Sequence, residues 1–373
     1  MLAAAARDMW CKSILCSGFL AARLPPSGSQ MVVGPLRAVL LASAAAAALL
    51  SPRGDALSTA MAAAALRARV GAPPALGPYN VSEVSIRVPA LDRTDPSVWI
   101  VFPNTTTAGA TFPLITYLHG LLGGDIDLLG YAAHFGRLAS HGFVVVAADS
   151  CDVGCTDAGQ GAPYSDCGGV PDVQPANEGW GFYYAEAFKA VEFMQNASAA
   201  PGAGEPFSRI DWAAGVGLSG HSMGGQGATI GACAACAARW NVRAAVLHHA
   251  ASADTPAGNL GAKIAVPTLG MATTGDNIWP ETEAIMNATR ASCLPHGFRN
   301  EVGWSHLEPV LLPPIENPTL ATYTAAWFKV FLNNETAGFY HDLIFGVDEN
   351  AMCTHAPMQT CYVDAGPAAR GGE

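Results

Sequence analysis

The pentapeptide Gly220-His221-Ser222-Met223-Gly224 has the spacing G-x-S-x-G, and the chain continues Gly225-Gln226-Gly227. Such a serine can attack an acyl carbon if its backbone is forced into a sharp turn, which requires small residues on either side because a Cβ there would clash. A hydroxyl is a poor nucleophile without a base, and an imidazole base needs a carboxylate to hold its tautomer. The chain offers ten His, of which His296, His306, His341 and His355 follow both the pentapeptide and the candidate acids. His306, after Gly303-Trp304-Ser305, is the expected base. Asp276, in Thr274-Gly275-Asp276-Asn277, is the expected acid, with Asp254 as the alternative. An oxyanion formed in acyl transfer needs two fixed N–H donors. The backbone amide of Met223 is one candidate, and that of Leu121, in His119-Gly120-Leu121-Leu122-Gly123-Gly124, is the other. His119 reads as a residue shaping that turn rather than as a catalytic group.

These residues need a scaffold, and the hydrophobic pattern supplies one. Residues 81–88 alternate with period two, 98–102 are β-branched and aromatic, and 112–118 and 143–148 are nearly continuous apolar runs, the last reading FVVVAA. Continuous runs of this kind are strands buried on both faces, as in a parallel sheet. Further strands are expected over 216–219, 242–247, 268–272 and 298–302, and helices over 127–141, 178–196, 223–240, 280–290 and 320–333. Alternating strands and helices mean a mostly parallel sheet of about eight strands, an α/β fold with helices on both faces. The pentapeptide then lies between a strand and a helix, and Asp276 and His306 each follow a strand. His296 precedes its strand, and His341 and His355 lie beyond the last helix.

In this order the segments FPLITYLHG, RLASHGFVVVAADS, GHSMGG, RAAVLHHA, VPTLGMATTGDN, GWSH and AAWFKVFLNNET resemble the α/β-hydrolase group that contains chlorophyllases, cutinase-like polyester hydrolases and dienelactone-hydrolase relatives. The resemblance covers about residues 112–334. It implies an α/β-hydrolase fold, a serine carboxylic-ester hydrolase, the triad Ser222, Asp276 and His306, and an oxyanion hole from the amides of Met223 and Leu121. It implies no cofactor and no metal. The expected pocket of Leu121, Leu122, Met223 and Ala251 suits a neutral ester with an apolar arm. Polyester hydrolases carry aromatic residues where this chain has Leu121 and Ala251, and plant chlorophyllases carry Arg where it has Met223, so neither subfamily fits outright. A polyester hydrolase or thioesterase using the same triad, or an inactive α/β-hydrolase-fold binding protein, is the alternative.

Charge and cysteines bear on the setting. The net charge is −11, with seven basic and two acidic residues up to Asn80 and 12 basic against 28 acidic beyond it. So acidic a body repels phosphate backbones, which argues against nucleic acid as a partner; a small-molecule or lipid-like ester substrate and a monomer are the expectations. Residues 1–70 read as a targeting leader. Within it, 31–58 resembles a signal peptide, with an apolar run of 13 residues over 38–50 broken only by Ser43, too short for a membrane span. Residues 59–72 read as a transit segment or as an Ala-rich linker, and 75–373 as one domain. Secretion, or delivery to a plastid through the ER, is expected, with no integral span once the leader is removed. Asn-X-Ser/Thr sequons begin at Asn80, Asn104, Asn196, Asn287 and Asn334, five where chance would give about 1.4. Eight Cys lie beyond the leader. Cys353 and Cys361, in a helix-poor tail, are the expected disulfide, matching a C-terminal bridge in the polyester hydrolases. At least one bridge is expected among Cys151, Cys155 and Cys167, whereas Cys233 and Cys236 read as buried packing residues on a helix.

Overall fold

The computed structural model describes residues 76–91, 96–121, 129–151, 183–252, 256–310 and 317–366, all of them within one compact unit, Leu66–Glu373. The leader, Leu122, Asp254, Cys155 and Cys167 lie outside the described residues.

Nine strands form one sheet. They are β1 (Asn80–Arg87), β2 (Ser97–Asn104), β3 (Leu114–Leu118), β4 (Val144–Asp149), β5 (Val216–His221), β6 (Val242–His248), β7 (Thr268–Thr273), β8 (His296–Glu301) and β9 (Met358–Asp364). Their order is β1-β2-β4-β3-β5-β6-β7-β8-β9. β3 to β8 are mutually parallel, while β2 runs antiparallel to β1 and β4, and β9 antiparallel to β8. The sheet thus has nine strands rather than about eight. The additional one is β9, whose short segment MQTCYVD lacks the long apolar run of the central strands because it lies at the edge and is only half-buried.

The β4 segment VVVAAD is wholly buried, and its side chains divide between two cores. Val144, Val146 and Ala148 join Leu114, Leu118, Leu218 and Phe188 on one face, and Val145 and Ala147 join Tyr117, Phe135, Leu138 and Trp327 on the other. That division is the period-two geometry of a strand covered on both sides.

The covering helices are α1 (Ala132–Ser140), α2 (Tyr184–Ala199), α3 (Met223–Gly231), α4 (Ala234–Trp240), α5 (Ala257–Gly261), α6 (Trp279–Thr289), α7 (Pro318–Leu332) and α8 (Phe339–Phe345). The single helix expected over 223–240 is divided into α3 and α4. Cys233 takes an extended conformation there, its sulfur accepting from the Cys236 amide at 3.5 Å to cap α4, and the chain bridges to Ile264. Asn317 caps α7 in the usual way, accepting from the Thr319 amide at 3.1 Å. No helix among the described residues is long and apolar enough to cross a membrane.

Cys353 and Cys361 are joined by a disulfide that ties β9 to the segment before it. Cys151, Cys236 and Cys293 are also disulfide-bonded. For Cys236 this corrects the expectation of a simple packing residue: it is buried, but its thiol is committed to a bond.

Candidate functional site

Ser222 stands between β5 and α3 with φ 57° and ψ −117°, a backbone geometry costly for any residue with a Cβ. The neighbouring glycines make it possible. A Cβ on Gly220 would stand 2.2 Å from the carbonyl oxygen of Gly224, and one on Gly224 would stand 2.2 Å from that of Leu118. The turn after β3 also comes near: a Cβ on Gly120 would meet the side-chain atoms His221 Nδ1 at 3.0 Å and Ser222 Cβ at 3.4 Å. The end of β3, the elbow and the start of α3 therefore interlock at Gly220 and Gly224 through backbone contacts that only glycine permits.

Asp276 follows β7 and His306 follows β8, so both reach the end of the sheet to which β5 delivers Ser222. A Cβ on Gly275 would lie 2.0 Å from the Trp304 carbonyl oxygen, and Thr273 Oγ1 accepts from the Trp304 amide at 3.0 Å while donating to the Glu301 carbonyl at 2.8 Å. These contacts bind the two turns together. His306 Nε2 then lies 2.9 Å from Ser222 Oγ, and His306 Nδ1 lies 2.8 Å from Asp276 Oδ2. Asp276 Oδ1 accepts from the Ile278 amide at 2.9 Å. Ser222 is buried at 8% exposure and the His306 side chain is 30% exposed, so solvent reaches the triad at its imidazole while the carboxylate behind it is buried.

Met223 is the first residue of α3, so its N–H has no acceptor within the helix and is directed to the positive helix end beside Ser222. Leu121 is half-buried on the Gly120 turn. Ala251 is buried, and its amide donates to the Ser222 carbonyl at 3.1 Å. Of the expected pocket, then, Ala251 is bonded to the elbow and Leu121 packs against the core, whereas the Met223 side chain, fully buried in that core, does not face an open pocket.

Sequence reasoning overlooked a second imidazole behind Asp276. His249, just beyond β6, is fully buried; its Nδ1 donates to Asp276 Oδ2 at 2.8 Å and its Nε2 to Glu308 Oε1 at 2.9 Å. Glu308 Oε2 accepts from Asn317 Nδ2 at 2.8 Å, and Arg299 Nη2 pairs with Glu301 Oε2 at 2.6 Å nearby. Burial opposes a charge on His249, but its hydrogen bonds to Asp276 and Glu308 prevail and raise its pKa to about 9. Burial likewise opposes ionisation of Asp276, and the hydrogen bonds from His249 and His306 outweigh it, holding the carboxyl well below the usual carboxylate range. Burial pushes the Glu308 carboxyl up, partly offset by its hydrogen bond from His249. The available signal was the pair His248-His249 ending a buried strand, with Glu308 two residues after His306.

His221 joins the other side of the site. Burial, together with the adjacent His306 and His249, keeps it neutral, its pKa well below the ordinary value. Its Nε2–H donates to the His306 carbonyl at 2.8 Å and its Nδ1 accepts from Tyr131 Oη at 2.6 Å, while Tyr131 Oη accepts from the Gly120 amide at 3.1 Å. One neutral imidazole thus couples the loop carrying His306 to the turn carrying Leu121. His119 is fully buried, with its ring nitrogens 2.7 Å and 2.5 Å from the Gly120 and Ser150 carbonyl oxygens; it braces the turn.

His249, Asp276 and His306 also bring three potential metal-ligand atoms within 4.8 Å of one another. Both imidazole Nδ1 atoms, however, lie at 2.8 Å from the same carboxylate oxygen, the spacing of two N–H donors sharing one acceptor. No family model matches the chain, and no curated protein matches it.

Proposed function

We propose that the protein is a serine carboxylic-ester hydrolase with an α/β-hydrolase fold. The observation that carries this reading is the hydrogen-bonded chain Ser222, His306, Asp276 at 2.9 and 2.8 Å, mounted on a strained turn at φ 57°. In the proposed reaction His306 Nε2 takes the Ser222 proton as Oγ attacks the ester carbonyl. The tetrahedral oxyanion is held by the amides of Met223 and Leu121, and His306 returns the proton to the departing alcohol. Water, activated by the same imidazole, then releases the acid from Ser222. Asp276 remains ionised throughout and orients His306. No metal or cofactor takes part in this scheme.

The substrate in this reading is a neutral ester with an apolar arm. Leu121 gives the entrance apolar character, and the 28 acidic residues beyond Asn80 disfavour anionic substrates. A chain-length series of p-nitrophenyl esters, run beside chlorophyll and a polyester film, tests it. A rising kcat/KM from acetyl to octanoyl is expected, several-fold per methylene until the pocket is full. A flat or falling series with no chlorophyllide released would leave the hydrolase without this substrate class. We further propose that the protein enters the secretory pathway, a reading supported by the Cys353–Cys361 bridge, since such bonds persist in oxidising compartments.

A further inference from the structure

We propose that Asn80, Asn104, Asn196, Asn287 and Asn334 are N-glycosylated and that their glycans clothe the end of the sheet remote from Ser222, leaving the face that carries the triad bare. Each heads an Asn-X-Ser/Thr sequon, and each is exposed.

Their placement in the fold is one-sided. β4 runs from Val144 towards the triad end, and the β2–β4 register sets Ser97 opposite Asp149 and Val101 opposite Val145. Asn104, three residues past Val101, therefore projects beyond the start of β4, and Asn80 is its register partner. Asn196 lies in the last turn of α2, beside Gln195 and Ser198, which share a cleft of about 370 Å³ with Val216 and Asn241 at the start of β5 and β6. Asn287 lies in the last turn of α6, just before the chain enters β8. Its Oδ1 accepts from Tyr362 Oη at 3.4 Å, which leaves Nδ2, the atom that carries a sugar, uncommitted in that contact. Asn334 follows α7, whose Lys329 lies 5.0 Å over the ring of Phe143, the residue before β4. All five thus mark the end where the parallel strands begin.

The triad end shows the converse. Asn317-Pro318-Thr319 fails as a sequon through its proline, and Asn317 is buried with its side chain bonded to Glu308 and Thr319. Asn277, exposed beside Asp276, is followed by Ile278-Trp279 and is no sequon. The glycans of Asn80, on the edge strand β1, and of Asn104, opposite it on β2, would stand side by side and obstruct pairing with a second sheet.

The modification requires a polyprenyl-diphosphate-linked oligosaccharide and the transferase that uses it. Asn Nδ2 bonds to the anomeric carbon, the bond from that carbon to the diphosphate oxygen breaks, the lipid diphosphate leaves, and Nδ2 gives up one proton. The disulfide between Cys353 and Cys361 fits the oxidising compartment in which this occurs.

The test is to secrete the full chain from a eukaryotic cell, release the glycans with peptide-N-glycosidase in ¹⁸O-water, and map each site by the Asp and isotope label left behind. Label at four or all five sites is expected; label at three or fewer overturns the proposal. Treated and untreated protein are then compared on one long-chain p-nitrophenyl ester, or by the rate of fluorophosphonate labelling. A kcat/KM or labelling rate unchanged to within about threefold is expected, and a larger rise on glycan removal would place sugar over the site and overturn the one-sided arrangement. Site occupancy is read by mass, so it stands or falls separately from the esterase reading.

Discussion

His249 and His306 donate to the same oxygen of Asp276, each through Nδ1 and each at 2.8 Å. The candidate acid is thus gripped from two sides, and the second grip is itself anchored, because His249 Nε2 is bonded to Glu308. Removing one partner of a buried charged pair leaves the other uncompensated, which costs about 3–5 kcal/mol. His249→Gln is therefore expected to be much less stable, whereas the double variant His249→Gln/Glu308→Gln, which removes both charges, should recover part of the loss. In the double variant kcat should fall about tenfold with KM nearly unchanged, since Asp276 loses an orienting donor far from any substrate. Denaturant titration and steady-state kinetics read the two effects. Equal stability of the single and double variants would remove the case for a coupled pair.

The same pair makes stability depend on pH. His249 binds its proton more tightly folded than unfolded, so its contribution is fully present below the ordinary value of 6.5 and is lost as pH rises through about 9. Thermal melts between these limits should show Tm falling with pH, and the slope should flatten in the double variant.

The elbow rests on glycine. Gly220→Ala and Gly224→Ala each drive a methyl group to 2.2 Å from a backbone oxygen, where no side-chain movement can relieve it. Each should cost about 1–3 kcal/mol or more and distort Ser222, so activity per folded molecule should fall as well. At Gly136 a Cβ meets nothing within 4 Å. The matched control Gly136→Ala, on helix α1, should be neutral or slightly stabilising, as measured by melting temperature.

What the sequence made legible follows from which forces are local. The buried runs of β3 and β4 and the glycines around Ser222 are local signals, and β3 and β4 form within two residues of their expected bounds. β9 escaped because an edge strand needs only one buried face and a partner, here β8, about sixty residues away. The break between α3 and α4 escaped because it is imposed by pairing of Cys233 with Ile264, a distant contact. His249 was hidden for a related reason. Its neighbours in space, Asp276 and Glu308, are 27 and 59 residues away, and it precedes the acid in the chain, where order singles out no base.

The short bridge between Cys353 and Cys361 closes a loop with a sequence separation of 8, for which the loss of chain entropy corresponds to about 2–3 kcal/mol. Cys353→Ser/Cys361→Ser should lower Tm and loosen β9 from β8, visible as faster amide exchange over 358–364. Activity at low temperature should persist, because neither cysteine touches the triad.

The central claim is that Ser222 is the acylated nucleophile. The most direct measurement is reaction of the purified protein with a fluorophosphonate probe, followed by peptide mapping of the adduct. The account predicts one phosphonylated residue, Ser222, with labelling abolished in Ser222→Ala and slowed about a thousandfold or more in His306→Gln. A Ser222→Ala protein that folds, still takes the label elsewhere and keeps more than about a tenth of its esterase activity would contradict it.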